Sequence, residues 1–199
     1  MKRILQVTTS PRGEASYSNQ LGNAIVQELL TAHPGSTTET LDLSQQQYPH
    51  LGVPQLVSFF TPPEAKTEEH HAASRHSDDA VASLLAADIL VICTPLYNFN
   101  IPSSLKAWLD HIVRSGITFR YGATGAEGLV KGKKVYISLA SGGIFSEGPY
   151  VEYDFVSSYL KAVFGFIGIT DITILRVEGT AIPGVQDQAL EKAVQRIAV

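Results

Sequence analysis

Ile89-Leu90-Val91-Ile92-Cys93-Thr94 forms a run of residues that is apolar at almost every position. Such a run is typical of a parallel strand that carries helices on both faces of its sheet, because neither side of the strand meets water. It leads directly into Pro95-Leu96-Tyr97-Asn98-Phe99-Asn100-Ile101-Pro102, in which two prolines stiffen the backbone. The sequence therefore predicts a central, buried strand that ends in a stiff loop with aromatic and amide side chains.

Further strands and helices alternate on both sides of this strand. Strand patterns occur at residues 3–7, 38–43, 134–140 and 171–177. Helical patterns occur at about residues 16–30, from 77 onwards, and at 103–115, 154–166 and 186–198. Five strands in alternation with five helices predict an α/β fold: a doubly wound, five-stranded parallel sheet with helices on both faces. We expect a single domain over residues 1–199.

Three further expectations concern the starts of two helices and the segment between 44 and 76. Ser16 or Ser18 is expected to cap the first helix, because a side-chain oxygen there can accept a hydrogen bond from a free backbone amide. Residues 44–76 fit no regular pattern, which is typical of a functional loop or of a segment folded onto a partner. The acidic Ser77-Asp78-Asp79 is expected to begin the next helix.

Composition limits the class of protein. Apolar residues make up 44% of the 199 residues and charged residues 17%, as in globular proteins. The formal charge of −4 argues against a nucleic-acid partner, and no stretch approaches the ~20 apolar residues of a membrane span. We expect no signal peptide and a cytoplasmic protein. The single cysteine, Cys93, cannot form an intrachain disulfide and is expected to be a buried thiol.

The loop after the first strand, residues 8–18, is rich in hydroxyl groups and opens into a helix. Hydroxyls and helix N-terminal amides together suit a phosphate dianion, although an ordinary polar loop with a serine cap is the alternative. Gly13 is its only glycine, so it lacks both the G-x-G-x-x-G of dinucleotide sites and the lysine of a P-loop. A single terminal phosphate therefore fits better, which favours FMN over NAD, FAD or ATP.

Two more loops are expected at the same edge of the sheet, where open α/β sheets bind ligands. In the loop 95–102, Tyr97 and Phe99 could flank a planar ring, and a packed turn is the alternative. In Ser141-Gly142-Gly143-Ile144, the glycines leave backbone amides open to a ligand, although such pairs also occur in ordinary turns. The joint occurrence of three suitable loops indicates a flavin site more strongly than any one of them.

The chain resembles the FMN-dependent NADH-azoreductases, also called FMN-dependent NADH:quinone oxidoreductases, a bacterial family with a flavodoxin-like fold. The resemblance covers nearly the full length. It is carried by these segments: Ser10 with Ser16-Tyr17-Ser18-Asn19-Gln20-Leu21, Pro95-Leu96-Tyr97-Asn98-Phe99-Asn100, Gly116-Ile117-Thr118-Phe119-Arg120-Tyr121, Glu127-Gly128-Leu129, Ser141-Gly142-Gly143, and Gly165-Phe166-Ile167-Gly168-Ile169. Two positions depart from the family: Leu96 is often methionine in relatives and Ser141 is often arginine.

The resemblance implies which residues hold FMN. The implied cofactor-binding residues are Ser10, Ser16, Tyr17 and Ser18 for the phosphate, Pro95, Leu96, Tyr97, Asn98 and Phe99 for the isoalloxazine, and Ala140, Ser141, Gly142 and Gly143 for its pyrimidine end. Candidates for stacking on the acceptor are Phe99, Tyr121 and Phe166. The family also implies a homodimer with its active sites at the interface, so that residues 44–76 and the region 119–121 are expected to cover a flavin.

The expected reaction is ping-pong transfer of two electrons from NADH or NADPH to a quinone or an aromatic azo compound. Because the flavin N5 carries the chemistry, no catalytic side chain is assigned. The run Glu68-Glu69-His70-His71 with His76 is expected to be a solvated face and not a metal site. Two alternatives remain open: a flavodoxin-type electron carrier, which would need charge complementarity to its partner, and a flavin-binding redox sensor or scaffold.

Overall fold

The computed structural model describes all 199 residues and contains one five-stranded parallel sheet. Its strands, together with a separate hairpin, are β1 (Arg3–Thr8), β2 (Thr37–Asp42), β3 (Ile89–Pro95), β4 (Phe119–Gly122), β5 (Gly125–Gly128), β6 (Lys134–Ala140) and β7 (Asp171–Val177). The strand order of the sheet is β2-β1-β3-β6-β7, and every pair in it is parallel. The predicted doubly wound sheet is confirmed, with β3 buried at all of its positions.

Helices cover both faces of this sheet. They are α1 (Tyr17–Ala32), α2 (Val53–Phe60), α3 (Glu68–Ala86), α4 (Ser103–Ile112), α5 (Phe155–Ile167) and α6 (Gln186–Val194). One apolar core lies between the sheet and α3, α4 and α5, and includes the fully buried Trp108. A second core lies between the opposite face and α1 and α6, and includes the fully buried Leu21. Each large side chain buried in this way stabilises the fold by about 1.5–3 kcal/mol.

The prediction that residues 44–76 are irregular is wrong. This segment contains α2, a short 3-10 helix at Pro63–Ala65 and the first turns of α3. The helix expected to start at Ser77 begins at Glu68 instead, after a capping box in which the Thr67 amide donates to His70 Nδ1 at 3.1 Å. The apolar periodicity is weak because serines occupy buried positions of α3, among them Ser77 with its Oγ 2.5 Å from the His111 carbonyl oxygen.

The segment 44–60 is held against α3 and α4 by aromatic and charged groups. Tyr48 contacts the rings of His76 and His111, with centroid distances of 6.0 and 5.4 Å. The Arg114 guanidinium lies 3.7 Å above the centre of the Phe59 ring and donates to Asp78 at 3.2 Å. Burial lowers the pKa of His111, so this imidazole stays neutral in the folded chain at neutral pH.

A β-hairpin that the sequence did not reveal lies outside the main sheet. It is the antiparallel pair β4–β5, which turns between Gly122 and Gly125. Its last residue, Gly128, lies against the C-terminal end of α5, where a Cβ at this position would stand 2.2 Å from the Gly168 backbone nitrogen. The hairpin and α5 therefore approach each other through backbone atoms, and only glycine fits at the crossing.

The Cys93 thiol is fully buried, as predicted, and burial raises its pKa to about 12. Helix α1 covers it so closely that a Cβ at Gly22 would stand 2.1 Å from Cys93 Sγ. No helix of the structure is both long enough and apolar enough to span a bilayer.

We expect Cys93 to resist iodoacetamide in the folded chain at pH 8 and to react fully in guanidinium chloride, as measured by mass spectrometry. Because the folded thiol keeps its proton up to a pH of about 12, while the unfolded one ionises near 9, alkali favours unfolding. The free energy of unfolding should therefore fall by about 1.4 kcal/mol per pH unit between these values. A Cys93→Ala variant should show a slope smaller by this amount, and it should keep the share that comes from Tyr48 and Tyr159, because burial also raises the pKa of these two tyrosines. Equal slopes in the two proteins would contradict the raised pKa of Cys93.

Candidate active site

The three loops singled out in the sequence meet at the carboxyl edge of the sheet. The loops after β1, β3 and β6 line one cleft, which lies at the point where the strand order reverses between β1 and β3. Its lining residues are Ser10, Arg12, Ser16, Tyr17, Pro95, Leu96, Tyr97, Ala140, Ser141, Gly142 and Thr180. The cleft encloses about 150 Å³ and is open to solvent, so a ligand much larger than a phosphate would remain exposed on its outer side.

Hydroxyl groups and the N-terminus of α1 form one end of this cleft. Ser16 occupies the N-cap position, but its Oγ lies 3.0 Å from Ser18 Oγ and caps no backbone amide. The expectation that Ser16 or Ser18 caps the helix is therefore wrong: α1 begins without a side-chain cap, which leaves its first amides for a ligand. Ser10, Ser16 and Ser18 are all buried, with at most 3% of their surface exposed.

The loop after β3 contains a strained turn. Tyr97 and Asn100 exchange two backbone hydrogen bonds of 2.9 Å, which closes a tight turn around Asn98 and Phe99. Both central residues have positive φ angles, 48° for Asn98 and 68° for Phe99, in a region that non-glycine residues rarely adopt. Such a conformation costs about 1–3 kcal/mol for each residue and is characteristic of functional sites. Asn98 and Phe99 are both exposed.

The carboxylate of Glu178 holds the loop that follows β6. One carboxylate oxygen of Glu178 accepts hydrogen bonds from the Phe145 and Ser146 amides at 2.8 and 2.9 Å, and the other accepts from Ser146 Oγ. Arg176 lies between Glu178 and Asp154, with nitrogen–oxygen distances of 3.6 and 2.5 Å. Burial opposes ionisation of Asp154, but hydrogen bonds from Ser157 and Arg176 hold its pKa below the usual value. These charges hold the glycine-containing loop at the cleft.

We expect Glu178→Gln to loosen this loop. The substitution replaces charge-assisted hydrogen bonds to two amides, which are worth about 1.5–3 kcal/mol each, by weaker neutral ones. A local loss of ~2 kcal/mol corresponds to about 30-fold faster hydrogen exchange of the Phe145 and Ser146 amides. Glu147→Gln is the matched control, because Glu147 is an exposed carboxylate of the same loop. Equal exchange rates in the two variants would show that Glu178 does not hold the loop.

The aromatic side chains near the cleft form two separate groups. Phe99 lies 5.4 Å from Tyr153 and 6.3 Å from Phe145 between ring centres, beside the cleft. Phe119 instead contacts Tyr121 at 5.6 Å and Phe166 at 4.6 Å, on the hairpin and α5. Tyr121 is 74% exposed and Phe166 is 37% exposed. Within one chain, the three predicted stacking residues are therefore not brought together.

The predicted cofactor-binding residues are largely gathered by the fold. Nine of the thirteen line the cleft: Ser10, Ser16, Tyr17, Pro95, Leu96, Tyr97, Ala140, Ser141 and Gly142. The Ser18 hydroxyl contacts that of Ser16, Asn98 and Gly143 line neighbouring clefts, and Phe99 is exposed outside them. Leu96 and Ser141, the two positions that depart from the family pattern, both line the cleft. Ser141 Oγ donates to the Gly143 carbonyl oxygen at 2.8 Å.

Two lining residues were not assigned from the sequence. Arg12 contributes a cation to the end of the cleft that holds Ser10 and Ser16. The sequence signal for Arg12 was its position in the hydroxyl-rich loop 8–18. Thr180 lines the opposite wall, and its Oγ1 donates to the Ser141 carbonyl oxygen at 3.0 Å. It follows β7, whose loop carries no distinctive sequence pattern.

A second, larger cleft lies beside the first, between the loops that follow β2 and β3. It encloses about 750 Å³. From the segment 44–76 it includes Ser44, Gln47, Tyr48 and His50, whereas no residue of that segment lines the smaller cleft. The histidines of the run 68–76 lie on α3, where His70 serves the capping box described above.

Comparisons with known proteins place the chain among flavoproteins. A sequence profile described as "Flavodoxin-like fold" matches residues 2–199. A protein of Mesorhizobium japonicum named FMN-dependent NADH:quinone oxidoreductase is 44% identical over 195 residues, which are 98% of this chain and 93% of the relative. The FMN-dependent NADH:quinone oxidoreductase 1 of Rhizobium etli is 44% identical over 198 residues, 99% and 97% of the two chains.

Solved structures agree with these sequence relatives. The crystal structure of an azoreductase from Bacillus anthracis superposes with a TM-score of 0.87 at 31% identity and covers 98% of each chain. An FMN-dependent NADH-azoreductase from the same species, crystallised in complex with FMN, superposes with a TM-score of 0.86 at 28% identity. That match covers 98% of this chain and 97% of the other.

Proposed function

This chain belongs to the flavodoxin-like family of FMN-dependent NADH:quinone oxidoreductases and azoreductases, and we propose that it reduces quinones and aromatic azo compounds by a ping-pong two-electron mechanism. Dihydronicotinamide, as NADH or NADPH, is the proposed donor. The observation that carries the proposal is the meeting of the three loops in one cleft, with hydroxyls and an uncapped helix at one end and aromatic and glycine residues at the other.

The residues present fit FMN. No carboxylate lines the smaller cleft, and its charged residue is Arg12, which suits a phosphate dianion. We propose that the hydroxyls of Ser10, Ser16 and Ser18 and the first amides of α1 bind the phosphate. We propose that the remaining cofactor contacts are made by Tyr17, by residues 95–99 and by residues 140–143.

When bound, FMN supplies the redox chemistry, taking two electrons from a dihydronicotinamide and passing them to the acceptor. The chain positions the rings and provides hydrogen-bond donors. The smaller cleft contains no histidine, lysine, cysteine or carboxylate, and we assign no general acid or base there. Backbone amides at Gly142 and Gly143 are proposed to stabilise negative charge, because preorganised amides do so without rearrangement.

A homodimer is proposed to complete the site. Phe99 lies beside the cleft, while the exposed Tyr121 and Phe166 lie in a separate group of the same chain. A second copy could place its Tyr121 and Phe166 opposite Phe99, so that an acceptor is stacked between two chains. Sedimentation velocity measures this state, and a monomer at assay concentrations in the presence of FMN would contradict it. A cytoplasmic location remains a prediction.

Anaerobic titration of the FMN-loaded protein tests the proposed reaction. NADH should bleach the visible absorbance of the flavin in a two-electron step, and a quinone should restore it after the oxidised nicotinamide has left. Parallel double-reciprocal plots in steady state should accompany this result. If NADH does not reduce the flavin, while a chemical reductant transfers a single electron to it, the result would support the electron carrier instead.

A further inference from the structure

The larger cleft has no role in the function proposed so far, although its volume of about 750 Å³ is ample for a small-molecule ligand. Its walls are the loops that follow β2 and β3 and the first turn of α4. The lining residues are Thr9, Pro11, Leu43, Ser44, Gln47, Tyr48, His50, Tyr97, Asn98, Asn100, Ile101, Pro102, Ser103, Ser104 and Ala107. None of them is a carboxylate, so the cleft presents no like charge to an anionic ligand.

The two clefts adjoin each other. Tyr97 lines both of them. The loop after β1 also separates them, because Thr9 and Pro11 face the larger cleft while Ser10 and Arg12 face the smaller one. A molecule with two parts can therefore place one part at the flavin cleft and the other in the larger cleft.

The larger cleft contains groups suited to a nucleotide. Tyr48 is 91% buried and lines the cleft, and its hydroxyl forms no hydrogen bond within the chain. Its ring is fixed by His76 and His111, so the hydroxyl is held in place as a free donor. Ser103 and Ser104 add two hydroxyls, and His50 adds a flat face for a purine.

We propose that the larger cleft binds the adenosine diphosphate part of the nicotinamide donor. This inference rests on the proposed function, in which a dihydronicotinamide is the electron donor. Only the nicotinamide ring of that donor has to reach the flavin, so its other half is free to bind in the larger cleft. The Tyr48 hydroxyl and the Ser103 and Ser104 hydroxyls serve the diphosphate, and the His50 ring serves the adenine. A small quinone has neither a diphosphate nor an adenine for these side chains to bind.

Direct binding tests the cleft without turnover. ADP-ribose should bind the FMN-loaded protein in isothermal titration calorimetry, and Ser104→Glu should weaken this binding about 10-fold or more, because a carboxylate then faces the diphosphate. Tyr48→Phe should weaken it about 3- to 10-fold through loss of one hydroxyl. The matched control is Ser158→Glu on the exposed side of α5, which should bind like the parent. Absence of binding, or equal binding by Ser104→Glu and the control, would overturn the proposal.

A comparison of two donors separates this proposal from the proposed function. Reduced nicotinamide mononucleotide carries the reactive ring but lacks the adenosine monophosphate half of NADH. The parent protein should use NADH with the higher kcat/KM, and Ser104→Glu should lower the ratio of the two kcat/KM values about 10-fold through the KM for NADH. Equal use of both donors, or an unchanged ratio, would overturn the proposal and leave the reductase intact. If neither donor reduces the flavin, the proposed function itself is wrong.

Discussion

Ser16→Asp is expected to raise the dissociation constant for FMN about 100-fold or more while it stabilises the FMN-free protein. Ser16 is buried at the N-cap of α1 and its hydroxyl caps no amide. An aspartate there caps the helix and faces its positive end, which contributes about 1 kcal/mol. The same carboxylate opposes the phosphate dianion, and unit charges 4 Å apart near a protein surface repel by about 4 kcal/mol.

Fluorescence titration gives the dissociation constant, and calorimetry of the FMN-free protein should show a Tm higher by about 2–4 °C. Ser16→Asn is the control, because asparagine caps equally well and is neutral. If the two variants lose FMN equally, size and not charge is responsible. If Ser16→Asp binds FMN normally, the phosphate does not lie at the start of α1.

Gly128→Ala is expected to destabilise the protein by about 3 kcal/mol, at the upper end of the usual cost of overpacking. The added Cβ would stand 2.2 Å from the Gly168 nitrogen and 2.3 Å from the Ile167 carbonyl carbon. Both are backbone atoms, so the hairpin and α5 must separate. The Tm should fall by roughly 6–12 °C for a chain of this size. Because the hairpin carries Tyr121, the separation also displaces the exposed aromatic group.

Gly165→Ala provides the comparison on the same helix. A Cβ at Gly165 would meet nothing within 4 Å, and alanine favours a helix by about 1 kcal/mol over glycine. Its Tm should therefore rise slightly. A Gly128→Ala protein that unfolds at the parental temperature would show that the crossing is more loosely packed than the structure indicates.

The sheet and most helices could be predicted from the sequence because burial leaves a periodic signal. The strands 134–140 and 171–177 coincide with β6 and β7. The elements that the sequence did not predict were missed for physical reasons. Helix α2 leaves Val53 and Phe60 more than 70% exposed, so it has no buried apolar stripe to recognise. The hairpin β4–β5 is short and mostly exposed, and such strands carry little alternation.

The sequence predicts which loops form the candidate site, but it does not predict their backbone conformation or the clefts between them. Sequence position places the loops after β1, β3 and β6 at one edge, and that prediction is confirmed. The positive φ angles of Asn98 and Phe99 could not be anticipated, because phenylalanine disfavours that conformation and tertiary contacts impose it. The larger cleft also escaped notice, since it depends on Tyr48 folding back onto His76 and His111.

The burial of Cys93 has a practical consequence for measuring distances across the molecule. It is the only cysteine of the chain, and α1 shields it completely. A cysteine introduced at an exposed position such as Tyr153 would therefore be the single reactive thiol, without removal of the native one. A nitroxide or fluorophore attached there would report the separation of two copies, so the native sequence already serves as a single-label background for spectroscopy.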